Sequence, residues 1–335
     1  MSYKPLAIER IEQALLAVLP TGTPVHARAA GEVVRVEVGT RRLGALWVGE
    51  GWLGDVRALL ADRPARLDVL VARRMSPGAR SAAAEAGLGW VDESGAAEIA
   101  LPGLLVSRSG RPDTTVRAAP RWTRSVIGTA EALLLGTRAT VAEIGRVTGL
   151  STGAATKALA TLTELGLLRA DEARGRRSAR EVVDRKRLVH AYAEAAVAKA
   201  PALSLRVGLL GRDLVDELAN LGKRWDATTI AWAATGAAAA SVLGPYLSGL
   251  TTLDVFVDAA TPATLDALAE RSRLKPMDGG RLVLRPFPTP VTKRLRRVES
   301  GLWIAPWPRV YADLRTLGVR GEEAAEHLVE RVDRG

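Results

Sequence analysis

The segment VAEIGRVTGLSTGAATKALATLTELG spans residues 141–166 and has two helical patterns separated by a single glycine-containing turn. Thr140 and Ser151 each stand directly before a helical pattern, where a short hydroxyl side chain caps the first turn of a helix. Gly149 suits the left-handed conformation that ends a helix, and Leu150 alone separates it from the next cap. The stretch therefore predicts two short helices joined by a tight turn, which is the pattern of a helix-turn-helix.

The segments on either side of this stretch extend the pattern to a winged helix. A further helix is predicted at Ser125–Leu135, and two strands follow the helical pair at Leu167–Arg169 and Arg180–Val183. The tip between the strands carries guanidinium groups that can reach phosphate or an adjacent minor groove: Arg174, Arg176 and Arg177. We therefore predict a winged helix-turn-helix domain over residues 122–200.

This domain has the charge of a surface that binds a polyanion. The chain has a net charge of +10, and residues 121–200 hold 14 basic against 8 acidic side chains. The second helix of the pair begins with short or basic side chains, which a helix end needs in order to enter the major groove. Charge and architecture leave two alternatives open, a solvated helical face and a winged helix that binds protein. We expect double-stranded DNA as the partner, contacted by Ser151, Thr152, Thr156, Lys157, Arg174, Arg176, Arg177 and Arg180.

The flanking segments predict two further domains that mix helices and strands. The first gives the order α-β-β-β-α-β-α-β-β with its last strand at Ala97–Val106, and a polar run at 107–121 is typical of a linker. The last gives two long helices, the second at 227–243, before strands and helices alternate. The predicted fold class is mixed α+β, with three domains: α/β at 1–115, winged helix-turn-helix at 122–200, and α/β at 201–335.

Three segments outside the predicted winged helix carry a family resemblance. They read LVARRMSPGARSAAAEAGLGWVDESGAAEI at 70–99, WAATGAAAASVL at 232–243 and IAPWPRVYADLRTLGVRGEEAAEHL at 304–328. Together they resemble the AbiEi-type antitoxin family of bacterial transcriptional regulators. The resemblance implies a repressor with a restriction-endonuclease-like N-terminal domain, and a C-terminal domain related to nucleotidyltransferases but without their catalysis. It also implies a candidate partner, a nucleotidyltransferase toxin encoded nearby.

Neither flanking domain carries an intact catalytic motif. Restriction-endonuclease-like nucleases hold Mg²⁺ with an acidic residue followed by a (D/E)-x-K motif. In the last domain, Asp254 and Asp258 flank a strand at a spacing that does not suit paired nucleotidyltransferase carboxylates. We expect no catalysis, and the alternative is a metal-dependent nuclease or nucleotidyltransferase that acts on nucleic acid. The acidic candidates of the first domain all lack a Lys two residues later: Glu9, Glu12, Glu32, Glu37 and Asp68.

Other motifs predict neither a cofactor nor a metal site. The segment GEGWLG at 49–54 fits GxGxxG, but two strand-like runs precede its strand, and Trp52 would crowd a pyrophosphate. The three His residues are scattered, and the chain contains no Cys. The basic run KRLRRVE at 293–299 stays open between a second DNA contact and a solvated face.

Nothing in the sequence predicts a membrane or a secreted protein. The N-terminal helical pattern carries charges throughout, unlike the apolar core of a secretory leader, and uncharged apolar stretches are shorter than a membrane span. The lack of Cys is compatible with a reducing cytosol. We therefore expect a cytoplasmic location, and the oligomeric state stays open.

Overall fold

The computed structural model describes residues 5–110, 122–170, 179–247 and 249–334. Helices and strands occur together throughout these ranges, which confirms the predicted mixed fold class. The described residues divide into two compact units, the first made of 5–110 with 318–323 and the second of the remainder. Within the described ranges, every helix falls short of the length and apolar character that a membrane span requires.

The first unit is built on one sheet in which the strands lie in chain order. Its strands are β1 Val25–Ala30, β2 Val33–Val38, β3 Arg41–Trp47, β4 Val69–Ala72, β5 Gly89–Asp92, β6 Ala96–Leu101 and β7 Leu104–Ser109. The pairs β3–β4 and β4–β5 are parallel, and the other neighbouring pairs are antiparallel. Parallel neighbours need a crossover connection, and a helix supplies it in each case. The helices of this unit are α1 Pro5–Val18, α2 Leu53–Ala61 and α3 Pro77–Glu85.

Two apolar cores lie on the two faces of this sheet. Successive residues of a strand point to opposite faces, and β4 divides accordingly. Val69 and Val71 belong to the core that contains Ile11 of α1, whereas Leu70 belongs to the core that contains Val56 of α2. The unit is therefore a three-layer sandwich with helices on both faces of the sheet.

The predicted strand at Ala97–Val106 is wrong, because the structure forms a hairpin there. The strands β6 and β7 pair in register from Leu101 and Leu104 outward. Gly103 between them has φ +69°, which places it in the left-handed region that a tight turn uses. A run with apolar residues on both sides of a Pro-Gly pair thus turns back on itself instead of continuing.

The second unit begins with the predicted winged-helix elements. Its first elements are α4 Arg124–Leu134, α5 Val141–Thr148, α6 Thr152–Glu164, β8 Leu168–Ala170, β9 Arg180–Val182 and α7 Arg185–Ala198. Strands β8 and β9 are antiparallel, and Ala139 forms an isolated bridge with Arg180 at their edge. Ile144 of α5 and Leu159 and Leu162 of α6 are fully buried, so the two helices contribute apolar faces to the core.

The rest of the second unit is a mixed sheet with flanking helices. The strand order is β10-β13-β12-β11-β15-β14. The elements in chain order are β10 Leu205–Val207, α8 Leu214–Ala227, β11 Trp232–Thr235, α9 Gly236–Leu243, β12 Leu253–Val257, α10 Pro262–Arg271, β13 Leu282–Pro286, α11 Pro290–Leu295, β14 Arg297–Glu299, β15 Leu302–Ile304, α12 Trp307–Leu314, a 3-10 turn Arg315–Leu317 and α13 Gly318–Arg334. Residues 318–323, at the start of α13, are grouped with the first unit.

The helix predicted at 227–243 is in fact a strand followed by a helix. All four residues of β11 are buried, and Gly236 with φ +53° marks the change to α9. A short, fully buried strand has no alternation of apolar and polar residues, so its pattern cannot be told from that of a buried helix.

One apolar core runs from the winged-helix residues into the sheet of the second unit. It contains Leu159 of α6, Leu188 of α7, Phe256 of β12 and Val310 of α12. The structure thus groups residues on both sides of position 200 in one compact unit. That residues 122–200 and 201–335 fold as separate domains therefore stays a prediction.

Candidate nucleic-acid interface

Side-chain caps fix the start of both helices in the α5–α6 pair. Thr140 Oγ1 accepts a hydrogen bond from the N–H of Glu143, and Ser151 Oγ accepts one from the N–H of Ala154, each at 3.3 Å. Between the helices, Gly149 has φ +76°, where a side chain would be strained. The turn therefore forms from the residues that the sequence singled out for it.

Helix α6 has one buried face and one exposed face. Ala155, Ala158, Leu159 and Leu162 are buried in the core. The exposed residues at the beginning of the helix are Ser151, Thr152, Gly153, Thr156 and Lys157. Since 152 and 156 are one turn apart and 157 is adjacent, the three predicted reading side chains share one exposed surface. Most of this surface is small, so another molecule can approach the helix backbone closely.

The hydroxyl groups on α6 are already committed as donors. Thr156 Oγ1 donates to the carbonyl of Thr152 at 2.8 Å, and Thr161 Oγ1 donates to the carbonyl of Lys157 at 2.9 Å. Thr156 therefore offers its oxygen lone pairs and its methyl group to a partner, but not its proton. Among the described residues, the ammonium group of Lys157 has no hydrogen-bond or ion-pair partner.

The hairpin after α6 brings one predicted contact residue beside the helix pair. The N–H of Arg180 donates to the carbonyl of Ala139 at 3.2 Å, which ties the hairpin to the segment before α5. Within the described part of the chain, Arg180 Nε is buried and has no hydrogen-bond partner. The predicted contacts Arg174, Arg176 and Arg177 lie outside the described residues.

Helix α5 carries an ion pair on its surface. Arg146 Nε donates to Glu143 Oε2 at 3.0 Å, and the Arg146 side chain is 70% exposed. This hydrogen bond is the largest cause that holds the pKa of Glu143 below its usual value. Glu143 thus balances the one positive charge of α5, whereas Lys157 on α6 keeps its charge unpaired in the described structure.

The basic run at 293–299 is engaged within the second unit. Lys293 Nζ donates to Asp258 at 2.6 Å, Arg296 lies 4.5 Å from the ring centre of Trp303, and Arg297 pairs with Glu299 at 3.5 Å. Each of these cations therefore already has an intramolecular contact, which favours a role in folding over a free phosphate contact.

Arg294, in the same run, is a residue whose role the sequence did not suggest. It belongs to α11, and its Nε donates to the carbonyl of Val147 at 2.9 Å at the end of α5. A second bond runs from Nη2 to the carbonyl of Arg146 at 3.3 Å. Cations are favourable at a helix C-terminus, where carbonyl groups lack partners inside the helix. No local pattern signals this contact, because 147 positions separate the two partners.

A buried polar cluster connects the helix-turn-helix to the rest of the second unit, and sequence reasoning missed it as well. Glu131 of α4 accepts from Tyr192 of α7 at 2.6 Å and from Thr292 of α11 at 2.9 Å. Burial raises the pKa of Glu131 to about 7, against the lowering effect of these two hydrogen bonds. The only available signal was a carboxylate in the otherwise apolar run VIGTAEALLL.

Several of the acidic residues weighed for catalysis have structural partners. Asp68 Oδ2 accepts from the N–H of Gly44 at 2.7 Å, and Glu37 bridges Arg28 and Arg42. Asp254 pairs with Arg285 and Asp258 with Lys293. Among the described residues, His, Asp and Glu side chains form no group of three that could hold a metal ion.

Comparison with known proteins adds no relative. No family model, no curated protein and no solved structure matches this chain. The resemblance to AbiEi-type regulators stays an expectation drawn from three short segments. Function is therefore inferred from the geometry and chemistry of the chain itself.

Proposed function

We propose that the chain is a DNA-binding transcriptional regulator that reads duplex DNA through its winged helix-turn-helix. The observation that carries the proposal is the exposed start of α6, where Thr152, Thr156 and Lys157 share one surface above a buried face. A recognition helix enters the major groove with its N-terminal residues against the base edges. The small side chains around Lys157 permit that approach, and the hairpin lies beside the helix pair, as in a winged helix.

The side chains on this surface determine which DNA bases it can contact specifically. Lys157 can donate to O6 or N7 of guanine. Thr156 has its hydroxyl proton on the Thr152 carbonyl, so its oxygen accepts from the amino group of cytosine or adenine, or its methyl packs on the thymine methyl. Each good base contact contributes about 1–3 kcal/mol of discrimination. The positive charge of Arg180, beside the helix pair, also strengthens attraction to any duplex.

The test of duplex binding uses the full chain and a pool of random duplex DNA. Rounds of selection followed by fluorescence anisotropy should give an enriched site, and log K for that site should fall linearly with log salt because phosphate contacts release counterions. DNA binding would be contradicted if the chain bound no duplex at low salt, or if its affinity for duplex did not change with salt concentration. In that case a winged helix that binds protein becomes the better proposal.

The proposed regulator is not an enzyme, and this part of the proposal has its own test. Plasmid DNA and RNA are incubated with the chain and Mg²⁺ or Mn²⁺, and neither cutting nor nucleotide transfer is expected. Metal-dependent activity that disappears in Asp68→Ala or Asp254→Ala would favour the nuclease or the nucleotidyltransferase instead.

An antitoxin role extends the proposal, as the family resemblance implies. The partner would then be a nucleotidyltransferase toxin whose gene lies beside that of the regulator. Inspection of the neighbouring genes tests this directly. Co-expression of this chain with the adjacent protein should then restore growth that the adjacent protein alone arrests, and an unrelated neighbourhood would remove the antitoxin role while leaving DNA binding untouched.

A further inference from the structure

A cavity of about 110 Å³ lies in the second unit, and its lining includes no residue of α6. Ionised side chains from β12, β13 and α12 line it together with the junction between β11 and α9. A single water needs roughly 10–15 Å³ measured in this way, so the cavity has room for a small organic molecule. The charged residues of its lining are Asp254, Arg285, Arg309 and Asp313.

One of the two ion pairs in the lining is held by several hydrogen bonds within the protein. Arg309 Nε donates to Asp313 at 3.0 Å, Nη2 donates to the same carboxylate, and Nη1 donates to the carbonyl of Ala196 at 3.0 Å. Asp313 also accepts from Thr235 Oγ1 at 2.6 Å. The Arg309 side chain is only 4% exposed, and this pair forms a fixed polar wall.

The other ion pair keeps hydrogen-bonding capacity. Arg285 Nε donates to Asp254 Oδ1 at 2.8 Å. Among the described residues, nothing donates to Asp254 Oδ2 and nothing accepts from the two Nη atoms of Arg285. The cavity therefore contains an open carboxylate oxygen beside an open guanidinium edge.

The start of α9 adds backbone donors at the same cavity. Thr235 is the cap residue of this helix, but its hydroxyl is directed to Asp313 and makes no cap hydrogen bond. The first N–H groups of a helix lack partners inside the helix and favour a negative group. Gly236, the first residue of α9, lines the cavity. Arg285 and the helix start thus offer donors, while Asp254 offers an acceptor.

We propose that this cavity binds a small zwitterion of the aliphatic amino-acid class. The carboxylate of the ligand pairs with Arg285 and the start of α9, and its ammonium group pairs with Asp254 Oδ2. The aliphatic body packs on the apolar part of the lining, which includes Val197, Phe256 and Leu317. A ligand with one charge alone makes only one of these two charge-assisted interactions, and Asp254 and Arg285, which are 22% and 41% exposed, then keep only each other as charged partners. The site does not depend on DNA binding by α6.

The test is isothermal titration of the full chain with glycine, L-alanine, L-valine and L-leucine. At least one of the four should bind, and its two single-charge analogues should bind at least about tenfold more weakly, since each loses a hydrogen bond between charged groups. For L-valine the analogues are isobutylamine and isovalerate. The site is refuted when none of the four binds, when either analogue binds as tightly, or when inorganic phosphate binds and the amino acids do not.

Two substitutions test the assigned groups. Arg285→Ala and Asp254→Asn should each lower the affinity for the amino acid at least about tenfold. Asp254→Asn should also reduce the difference in affinity between L-valine and isovalerate. Arg271→Ala and Asp266→Asn are matched controls, because both residues are exposed on α10 and outside the cavity. Thermal melting verifies that each variant folds. Unchanged affinity in either cavity variant, or an equal loss in its control, would refute the assignment.

Discussion

At the scale of single residues, Glu131 shows how burial changes the chemistry of a carboxyl group. It is fully buried and accepts hydrogen bonds from Tyr192 and Thr292, yet burial still raises its pKa to about 7. Arg309 lowers this pKa and Asp313 raises it, both as smaller effects. The folded chain therefore holds a proton on Glu131 at pH values where an unfolded chain would have released it.

This proton makes the stability depend on pH in a defined direction. The contribution is fully present below about pH 4.5, the ordinary pKa of Glu, and is lost as the pH rises to about 7. Glu131→Gln keeps the shape and cannot titrate. The stability difference is the free energy of unfolding of the wild type minus that of Glu131→Gln. This difference should fall by up to about 3 kcal/mol as the pH rises from about 4.5 to about 7. Urea titrations at both ends measure it, and a difference that stays constant or rises would contradict the raised pKa.

Lys157 tests base reading at the same scale. Because its ammonium group is exposed and without a partner in the described structure, Lys157→Ala should leave the fold unchanged. Loss of a contact to guanine should reduce the preference for the selected site over scrambled duplex by roughly tenfold or more, with binding to scrambled DNA nearly intact. Paired anisotropy titrations at one salt concentration measure this. An equal loss of affinity for both duplexes would indicate that Lys157 contacts a phosphate group and not a base.

At the scale of elements, the α5–α6 turn depends on one residue without a side chain. Gly149→Ala should destabilise the chain by about 1 kcal/mol or more, because φ is +76° there and the added methyl group would lie 3.3 Å from Arg294 Nη1. Gly153→Ala is the matched control in α6, where nothing lies within 4 Å, and it should stabilise by up to about 1 kcal/mol. Urea unfolding compares the stabilities of the two variants. Equal changes in the free energy of unfolding would contradict the claim that the turn needs glycine at position 149.

The hairpin makes a different prediction from the helix. Its tip residues lie outside the described part of the chain, and their role follows from the sequence. Replacement of Arg174, Arg176 and Arg177 by Ala should weaken binding to every duplex alike and flatten the slope of log K against log salt by about 0.9 for each lost phosphate contact. Arg271→Ala serves as the control for the loss of a single positive charge on α10. An unchanged slope in the triple variant would exclude the hairpin from the interface.

At the scale of the whole molecule, the helix-turn-helix is part of a larger folded unit. Val291 packs so close to α4 that a methyl group on Gly128 would lie 2.5 Å from it. Arg294 holds the end of α5, and Thr292 holds Glu131. All three contacts come from α11, which follows the predicted boundary at residue 200.

Removal of α11 should therefore destabilise the winged helix. A fragment of residues 122–200 loses these three contacts and exposes apolar surface, so it should lack the cooperative thermal transition of the full chain. Circular dichroism in the near and far ultraviolet measures this, and the full chain under the same conditions is the control. A cooperative transition in the fragment would instead support the boundary that the sequence predicts.

The helix-turn-helix could be predicted from local sequence signals, because Thr140, Gly149 and Ser151 act on backbone groups within a few residues. Contacts between residues far apart in the chain depend on the tertiary fold. Arg294 reaches the end of α5 across 147 positions, and Asp254 meets Arg285 across 31. The tertiary fold also decided that β11 is a strand, since a buried run takes its conformation from the neighbours that pair with it. Local capping and turn geometry can be read from neighbouring residues, whereas burial and pairing exist only once the chain has folded.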